Sequence, residues 1–302
     1  MKWYYFILLA VLFSFHPLKA QNFTYKKSSE GIELNENNKP VLFYQVKPKS
    51  VNGRYERSGY VHPLYDLNGN VITEDSPADH PYHRGIYWAW HQVVVDGKTA
   101  ANSWTSQNIA FVPRKAQVKK SKKNLKLHAQ LVWTITESEK KPQNIISENT
   151  TITVYRAENN YRIIDFDILL KPMADVKLGG SNDEKGYGGF CLRIINSEHI
   201  KFISGEKIVL PQETAVMAGP WMDFNSGGSG IAVIGYKSDK TEHPWILRNE
   251  KSMQNVPYPG RTPVQIPDKG LRLQYRVIIH NDRFNTADMD RLYREYVSTH
   301  SI

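Results

Sequence analysis

The sequence has one cysteine, Cys191, among its 302 residues. A single cysteine forms no intrachain disulfide, and it excludes a zinc site built on several thiolates. Long apolar runs are also scarce. The main one extends from Trp3 to Phe15 and is shorter than the roughly 20 residues that a helix needs to cross a bilayer. The fold is therefore predicted to be stable without covalent crosslinks.

This apolar run lies in a segment that is typical of a secretory signal peptide. Lys2 precedes the run, and Lys19 and Ala20 follow it just before Gln21. A small residue at this place marks the usual cleavage point. We predict that residues 1–20 are removed on export and that the mature chain is periplasmic or secreted, with no membrane insertion after cleavage. An uncleaved N-terminal anchor is the alternative.

Acidic residues are the minority, because 30 Asp and Glu stand against 39 Lys and Arg, for a formal net charge of +9. In an exported protein this balance favours an anionic oligosaccharide as partner and disfavours nucleic acid. A solvated basic face without a partner remains the alternative. Six lysines close in sequence are interpreted as a hairpin edge and not as a docking site. They are Lys115, Lys119, Lys120, Lys122, Lys123 and Lys126.

Most of the chain shows the alternation of apolar and polar residues that is typical of strands. Strands are predicted at residues 126–136, 150–156, 161–170, 231–236 and 271–280, with Gly, Asn, Asp and Pro between them. Helical crossovers between parallel strands are not indicated. The sequence therefore predicts an all-β protein, an antiparallel β-sandwich.

One helix is predicted near the C-terminus, from Ala287 to Val297, with Thr286 as its N-cap. Its apolar stripe follows the spacing of an amphipathic helix and comprises Met289, Leu292, Tyr293, Tyr296 and Val297. We expect this helix to pack on the sandwich. No repeat or linker is evident, so residues 21–302 are predicted to form a single domain.

Polar residues suited to chemistry concentrate in three segments: residues 57–91, 183–193 and 241–261. The first contains DHPYHRGIYWAWH, which begins at Asp79. Three histidines in this run raise the possibility of a metal site. However, a Pro-containing HxxH is not the helical HExxH motif, and the neighbouring Arg84 repels a cation. No metal and no other cofactor is predicted.

Other catalytic chemistries are weakly indicated. No GxSxG elbow occurs, and Cys191 lies in an apolar strand, so nucleophilic catalysis is disfavoured. A glycosidase pair of carboxylates stays open, with five candidates in loops. They are Asp66, Glu74, Asp75, Asp79 and Glu184. Acid and base catalysis on a sugar by His, Tyr and Arg is the remaining option. Five tryptophans are possible sugar-stacking rings: Trp88, Trp90, Trp104, Trp221 and Trp245.

Three stretches carry a resemblance to a known family. They are RSGYVHPLYDLNGNVITEDSPADHPYHRGIYWAW, KGYGGFCLR and LQYRVIIHNDR, which begin at Arg57, Lys185 and Leu273. This pattern resembles the secreted PmoA-like, or "methane oxygenase", proteins of Bacteroidetes. The resemblance implies a sandwich akin to the galactose-mutarotase-like supersandwich. It also implies kinship with oligosaccharide dehydratases of marine flavobacteria that act in the breakdown of ulvan, a sulfated polymer of rhamnose and uronic acid.

The leading hypothesis is a dehydratase that removes water from a terminal uronic acid of an anionic oligosaccharide. We predict His80 and His83 as base and acid, Tyr187 as alternative acid, and the guanidinium groups of Arg57, Arg84 and Arg193 as clamps for a carboxylate or sulfate. Further substrate-binding residues are predicted to be His62, Asp79, Trp88, His91, Lys185, Trp221, His243 and Arg248. The alternatives are a non-catalytic carbohydrate-binding protein and a glycosidase or polysaccharide lyase. The oligomeric state is not predicted.

Overall fold

The computed structural model describes residues 22–137, 141–158, 160–195, 199–226, 229–235, 242–250, 253–282 and 284–300. The predicted signal peptide, residues 1–20, lies outside this part of the chain. That residues 21–302 form one domain stays a prediction.

The described chain folds into strands and one C-terminal helix. The first twelve strands are β1 Phe23–Lys27, β2 Gly31–Glu36, β3 Lys39–Gln45, β4 Lys49–Val51, β5 Arg54–Arg57, β6 Tyr60–Leu64, β7 Ile86–Trp90, β8 Gln92–Val95, β9 Lys98–Ala101, β10 Ile109–Lys120, β11 Asn124–Ile135 and β12 Gln143–Tyr155. The others are β13 Tyr161–Pro172, β14 Val176–Gly179, β15 Gly188–Leu192, β16 Lys201–Ser204, β17 Lys207–Ile208, β18 Val216–Ala218, β19 Trp221–Asn225, β20 Ser229–Ile234, β21 His243–Trp245, β22 Gln254–Pro257, β23 Val264–Gln265 and β24 Leu271–Asn281.

Two large antiparallel sheets dominate the structure. One has seven strands in the order β1-β2-β3-β6-β7-β15-β22, and the other has nine in the order β10-β11-β12-β13-β24-β20-β19-β16-β17. Three small sheets, β23-β14-β8-β9, β18-β21 and β4-β5, flank them. The predicted all-β antiparallel fold is confirmed.

The main core lies between the two large sheets. Trp90 of the seven-stranded sheet contacts Trp133 of the other at 5.9 Å between ring centres, and Phe190 stacks on Tyr275 at 4.2 Å. These rings are buried because every second residue of each strand points into the space between the sheets. The face-to-face packing of two sheets makes the molecule a sandwich, as predicted.

The predicted strands correspond to β11, β12, β13, β20 and β24, with most ends within a few residues. The exception is β12, which begins at Gln143 and not near Thr150. Its early half carries Glu148, a carboxylate that is 2% exposed. Glu148 accepts hydrogen bonds from the indole nitrogens of Trp88 and Trp133, at 3.0 and 2.8 Å. A polar core residue interrupts the apolar alternation, so the pattern under-predicted this strand.

Helix α1, Thr286–His300, covers part of the outer face of the nine-stranded sheet. Met289, Leu292 and Tyr296 pack against Ile234 and Ile278 of that sheet, so the predicted docking of the helix is confirmed. Across the described residues, no helix is long and apolar enough to pass through a membrane.

The N-cap of α1 is Asn285, and the prediction of Thr286 is wrong by one residue. The Asn285 side chain accepts a hydrogen bond from the backbone N–H of Asp288 at 3.1 Å. The Asp288 carboxylate in turn accepts one from the backbone N–H of Asn285 at 3.4 Å. This reciprocal arrangement satisfies two donors at the helix start.

Loss of this cap should weaken the helix measurably. We expect Asn285→Ala to lower the free energy of unfolding by about 1 kcal/mol, because one helix-start donor loses its acceptor. Urea unfolding at constant pH measures the change. Thr286→Ala is the control and should cost less. If Thr286→Ala lowers the free energy of unfolding more than Asn285→Ala does, Thr286 is the N-cap.

Candidate active site

Strand β7 has two differently packed faces, and the candidate site lies on the outer one. Ile86, Trp88 and Trp90 point into the main core. Tyr87, on the opposite face, joins a smaller cluster with Trp104 on the outside of the seven-stranded sheet. One face of β7 therefore packs in the main core, and the other face lies beneath the polar residues of the candidate site.

Trp104 is the centre of a group of aromatic and histidine side chains. His91 stacks on its indole at 4.9 Å, while Tyr187 and His83 approach it at 5.4 and 5.9 Å between ring centres. His80 stacks on His83 at 4.5 Å with nearly parallel rings. We call these five residues the Trp104 cluster. It unites four side chains that the sequence analysis selected from two separate segments.

The loop that carries His80 and His83 is held in place by a buried arginine. Arg193, which is fully buried, donates to Glu74 at 2.8 Å and to both oxygens of Asp79 at 3.0 and 2.9 Å. Where the loop enters β7, a Cβ atom at Gly85 would collide with the carbonyl oxygen of Val61. The chain therefore needs glycine at this position, and the loop geometry is fixed at both places.

Asp79 and His80 form a hydrogen-bonded pair at the edge of the cluster. The Nδ1 atom of His80 lies 2.9 Å from Oδ2 of Asp79. Burial opposes ionisation of Asp79, but hydrogen bonds from His80 and Arg193 outweigh it and lower its pKa to about 2. An ionised carboxylate only accepts hydrogen bonds, so Nδ1 of His80 carries a proton. In the neutral ring Nε2 is then the basic nitrogen, on a side chain that is 36% exposed.

His83 has its ring proton on the other nitrogen, because of the neighbouring guanidinium. Its Nδ1 lies 3.4 Å from Nη1 of Arg193. Guanidinium groups only donate, so this Nδ1 accepts and the proton sits on Nε2. Burial, with His80 and Arg193 adding to it, lowers the pKa of His83 to about 3. The buried ring is therefore a poor base at neutral pH, and we correct its predicted role from proton transfer to support of His80.

The lowered pKa of His83 makes stability depend on pH. Below pH 6.5 the unfolded chain protonates His83, whereas the folded protein does so only near pH 3. The unfolded state binds more protons in this window, so stability falls as the pH drops, by roughly 1.4 kcal/mol per pH unit for one such group. We expect His83→Asn to flatten the decline between about pH 6 and pH 4 in urea unfolding. Equal slopes for both proteins would contradict the assignment.

His91 and Tyr187 occupy the other side of Trp104. Burial lowers the pKa of His91 to about 4, although Asp183 opposes the shift, and the side-chain amide of Asn102 lies 3.4 Å from its Nδ1. Burial raises the pKa of Tyr187, with Arg248 acting against it. At neutral pH, His91 is therefore uncharged and Tyr187 keeps its phenolic proton.

Arg248 places positive charge next to Tyr187. Its guanidinium carbon lies 5.4 Å from the centre of the tyrosine ring. Backbone carbonyl oxygens of Gln212, Glu213 and Leu247 accept hydrogen bonds from its terminal nitrogens at 2.8, 2.8 and 2.7 Å. These bonds fix the position of the guanidinium on a side chain that is partly exposed.

The structure does not support the three arginines predicted as clamps. Arg57 is 2% exposed, and Arg84 and Arg193 are fully buried. Arg57 donates to the carbonyl oxygens of Ser103 and Trp88, and burial lowers its pKa to about 10.

Arg84 forms its hydrogen bonds with residues around the same loop. It donates to the side chains of Asp75 and Ser76 and to the backbone oxygens of Lys49 and Tyr55. Together with Arg57 and Arg193, it therefore organises the loop and its surroundings and does not face a ligand.

Several other predicted binding residues lie away from the cluster. Trp88 is fully buried in the main core, and Trp221, 3% exposed, lies beneath α1 on the other large sheet. His243 is buried beside Gly235. These three predictions are wrong for the described structure, because none of these rings reaches the surface of the site.

His62 and Lys185 occupy intermediate places. His62 is half-buried, with Nδ1 3.0 Å from Oγ1 of Thr73, and burial lowers its pKa. Lys185 is exposed, and its backbone N–H donates to Asp183 at 3.0 Å in the turn before Tyr187. Of the two, only Lys185 belongs to the segment that positions a cluster residue.

Four of the five carboxylates considered for a glycosidase pair have structural partners. Glu74 and Asp79 share Arg193, and Asp75 bonds to Arg84 and Lys49. The remaining two are Asp66, which caps a turn through the N–H groups of Asn68 and Asn70, and Glu184, which is exposed. In the described part of the chain, no three His, Cys, Asp or Glu side chains are arranged to hold a metal ion.

In the Trp104 cluster, His80, His91 and Tyr187 are partly exposed, whereas Trp104 and His83 are buried. One shallow cavity elsewhere is lined by Ile72, Ile194 and Phe224, and another by Trp221 and Phe284. Neither cavity contains a residue of the cluster, and we place the candidate site by its chemistry and not by concavity. Trp104 itself was predicted only as a possible stacking ring. Its central position depends on the turn after β9, which the sequence pattern does not reveal.

Comparison with known proteins places the chain in a family. The sequence model of one protein family matches residues 31–294, which is most of the chain. The chain belongs to DUF6807, a family of unknown function. None of the curated proteins compared with the sequence matches it.

The solved structures that resemble this chain show similarity of fold only. The heparan sulfate lyase HepC mutant from Pedobacter heparinus has a TM-score of 0.37 at 6% identity, covering 88% of this chain and 36% of that one. The heparinase III BT4657 gene product has a TM-score of 0.34 at 12% identity, covering 89% and 35%. The DUF6807 chain thus spans about a third of the length of these structures. At such scores the similarity carries no information about activity.

Proposed function

We propose that this DUF6807 protein is a carbohydrate-active dehydratase. In this proposal it removes water from a terminal uronic acid of an anionic oligosaccharide of the ulvan type and leaves an unsaturated sugar. The supporting observation is the ionised Asp79 paired with a partly exposed His80, in one cluster with Tyr187 and beside Arg248. A base, an acid and a cation are the three groups that such an elimination requires.

His80 is the proposed base. Its Nε2 takes the proton from the carbon next to the substrate carboxylate, and the electron pair of that C–H bond forms the new C=C bond. Asp79 orients the ring through Nδ1 and stabilises the positive charge that develops on it. A carboxylate that orients a histidine in this way is a positioning residue, and it acts through His80.

Tyr187 and Arg248 complete the proposed reaction. As the C–O bond to the departing hydroxyl breaks, the phenol of Tyr187 gives it a proton and water leaves. The positive charge of Arg248 stabilises the substrate carboxylate while negative charge builds up on it. Reprotonation of Tyr187 from solvent and loss of the proton from His80 return both groups to their starting state.

The charge and the burial of aromatic residues also support an enzyme of this kind. A formal net charge of +9 suits an anionic substrate. The tryptophans considered as sugar-stacking rings of a non-catalytic binding protein are buried, because those in the described part of the chain are at most 4% exposed. This burial disfavours a binding protein that stacks sugars on tryptophan. Export to the periplasm or beyond remains part of the proposal.

Incubation with defined oligosaccharides tests the proposal. Uronate-terminated ulvan oligosaccharides should lose one water by mass spectrometry and gain ultraviolet absorbance from the new double bond. The same oligosaccharides with the terminal carboxyl reduced to an alcohol are the matched control and should not react, because the carbonyl system that acidifies the C–H bond is gone. Unchanged mass across uronate-terminated substrates would rule out the dehydratase. Two shorter fragments would indicate a chain-cleaving enzyme.

A further inference from the structure

The outer face of the nine-stranded sheet has a covered half and an exposed half. Helix α1 packs over β13, β24, β20 and β19. Farther along the same face, on β10 and β11, polar side chains remain exposed or partly exposed. This second half carries three of the six lysines that the sequence analysis interpreted as a hairpin edge.

The alternation of β10 and β11 sorts their side chains into two layers. Core positions such as Leu127 and Ala129 are buried, and the residues between them point outward. The outward set is Lys115, Gln117 and Lys119 on β10, with Lys126, His128 and Gln130 on β11. We call these six residues the basic sheet face. Each residue on β10 lies directly opposite one on β11, so the six form a compact array of three cross-strand pairs.

Two like charges lie opposite each other on this face. Lys119 pairs in register with Lys126, an arrangement that destabilises a sheet. Over the described residues, neither lysine forms an ion pair. His128 is in the next pair, and burial together with Lys119 and Lys126 lowers its pKa. Positive charge therefore converges on His128 without a counter-charge from the described protein.

The acidic residues farther along the sheet are already bound by arginines. Asp167 lies two strands from His128, opposite Thr151, and accepts a hydrogen bond from Arg272 at 2.8 Å. Asp165 is held by Arg276 through two hydrogen bonds at 2.7 and 2.9 Å. These carboxylates are neutralised locally, so they do not balance the charge of the basic sheet face.

Protection of a sheet edge explains only part of this pattern. Strand β10 is an edge strand, and lysines on an edge prevent pairing with other chains. That reason applies to Lys115 and Lys119. It does not apply to Lys126 and His128, because β11 lies inside the sheet between β10 and β12. The opposed lysines therefore need another explanation, and a bound anion is one that removes their repulsion.

We propose that the basic sheet face binds an acidic polysaccharide. Its lysines suit carboxylate or sulfate groups, and its amides suit the hydroxyls between those groups. Gln130 already donates to the side chain of Asn149 at 3.0 Å, and Nδ1 of His128 lies 3.0 Å from the hydroxyl of Thr151. These contacts extend the polar platform onto β12.

This surface is separate from the candidate active site. The Trp104 cluster lies outside the seven-stranded sheet, whereas the basic sheet face lies outside the nine-stranded sheet, on the other side of the sandwich. A polysaccharide bound to the basic sheet face would hold the protein on that polymer and leave the active site free. The proposal stands on its own observations, so it does not require the dehydratase activity.

Other polyanions fit the face less well. Its six residues include no Trp, Tyr or Phe, and aromatic rings are the usual platforms for the bases of single-stranded nucleic acid. The six also include no apolar side chain that could enter a lipid bilayer. Charged groups mixed with amide groups are what a hydroxyl-rich acidic chain would use.

A double substitution with a charge-matched control tests the proposal. Lys119→Gln with Lys126→Gln removes two charges from the face, and Lys177→Gln with Lys201→Gln removes two from exposed strand lysines elsewhere. The probes are polygalacturonate, dextran sulfate, neutral dextran, single-stranded DNA and phosphatidylserine vesicles. We expect the first variant to weaken binding of the two acidic polysaccharides about tenfold and the control to weaken it less than about twofold. Equal weakening in both, or tighter binding of DNA or vesicles, would overturn the proposal.

The imidazole of His128 reports where the polysaccharide binds. A bound anion offsets Lys119 and Lys126, so saturating polygalacturonate should raise the pKa of His128 measured by NMR titration. The lysine double variant should abolish this ligand-dependent rise. An unchanged pKa of His128 in the saturated protein would place the polymer elsewhere and contradict the proposal. Binding should persist in His80→Ala, which separates this result from the fate of the dehydratase proposal.

Discussion

His80→Ala should lower the rate of the proposed elimination by about 10²–10⁴-fold, the usual range for loss of a positioned general base. The effect should appear in kcat with little change in KM. Nε2 of His80 removes the C–H proton in the transition state and does not bind the substrate carboxylate. Initial rates with uronate-terminated oligosaccharides, followed by the absorbance of the unsaturated product, measure it. Stability should change little, since the side chain is 36% exposed.

Added imidazole provides the sharper part of this test. A small base can occupy the space that His80→Ala leaves at the surface and accept the same proton, so part of the activity should return. His199→Ala is the control, because His199 is an exposed histidine outside the Trp104 cluster. If the His80 variant keeps full activity, Asp79 and His80 are not the catalytic pair. If it loses activity but imidazole has no effect, the role of His80 is structural.

The sandwich was predictable because burial in a two-sheet core imposes a two-residue period. That period is visible in Leu127, Ala129 and Leu131 and again in Ile164 and Phe166. It fails where a buried polar residue replaces an apolar one, as Glu148 does in β12. The carboxyl group of Glu148 is stabilised by hydrogen bonds from two indoles. A hydropathy pattern does not show these partners, because they come from elsewhere in the sequence.

Part of the Trp104 cluster was predicted from the sequence, but the roles of its members were not. His80, His91 and Tyr187 were selected because their side chains suit proton transfer and sugar binding, and they do meet around Trp104. The same criteria also selected Arg57 and Arg193. An arginine that binds a ligand and one that bonds to its own chain look the same in sequence, because only tertiary structure brings carbonyl and carboxylate oxygens within hydrogen-bonding distance.

Arg193→Met should reduce both stability and activity. Methionine keeps much of the length of the buried side chain, but Glu74 and Asp79 lose their common partner. Breaking a buried pair by removing one ion typically costs 3–5 kcal/mol. Here the carboxylates are 27% and 40% exposed and water can partly replace the guanidinium, so we expect a loss of about 3 kcal/mol in urea unfolding.

An exposed pair of the same kind provides the matched control. Arg272 donates to Asp167 through two nitrogens, but it is 61% exposed, so Arg272→Met should cost less than about 1 kcal/mol. A similar cost for both substitutions would mean that burial of Arg193 adds nothing to its ion pairs.

The activity of Arg193→Lys distinguishes a role of Arg193 in positioning His80 from a role in stability alone. Arg193→Lys keeps a positive charge and should recover part of the lost stability, but one ammonium does not reproduce three hydrogen bonds to two carboxylates. Asp79 would then orient His80 less well, so we expect activity to stay about 10–100-fold below that of the unmodified protein even where the variant is fully folded. A folded Arg193→Lys protein with full activity would show that the Asp79–His80 pair needs no support from Arg193. In that case the loop would derive its geometry from Arg84 and Gly85 alone.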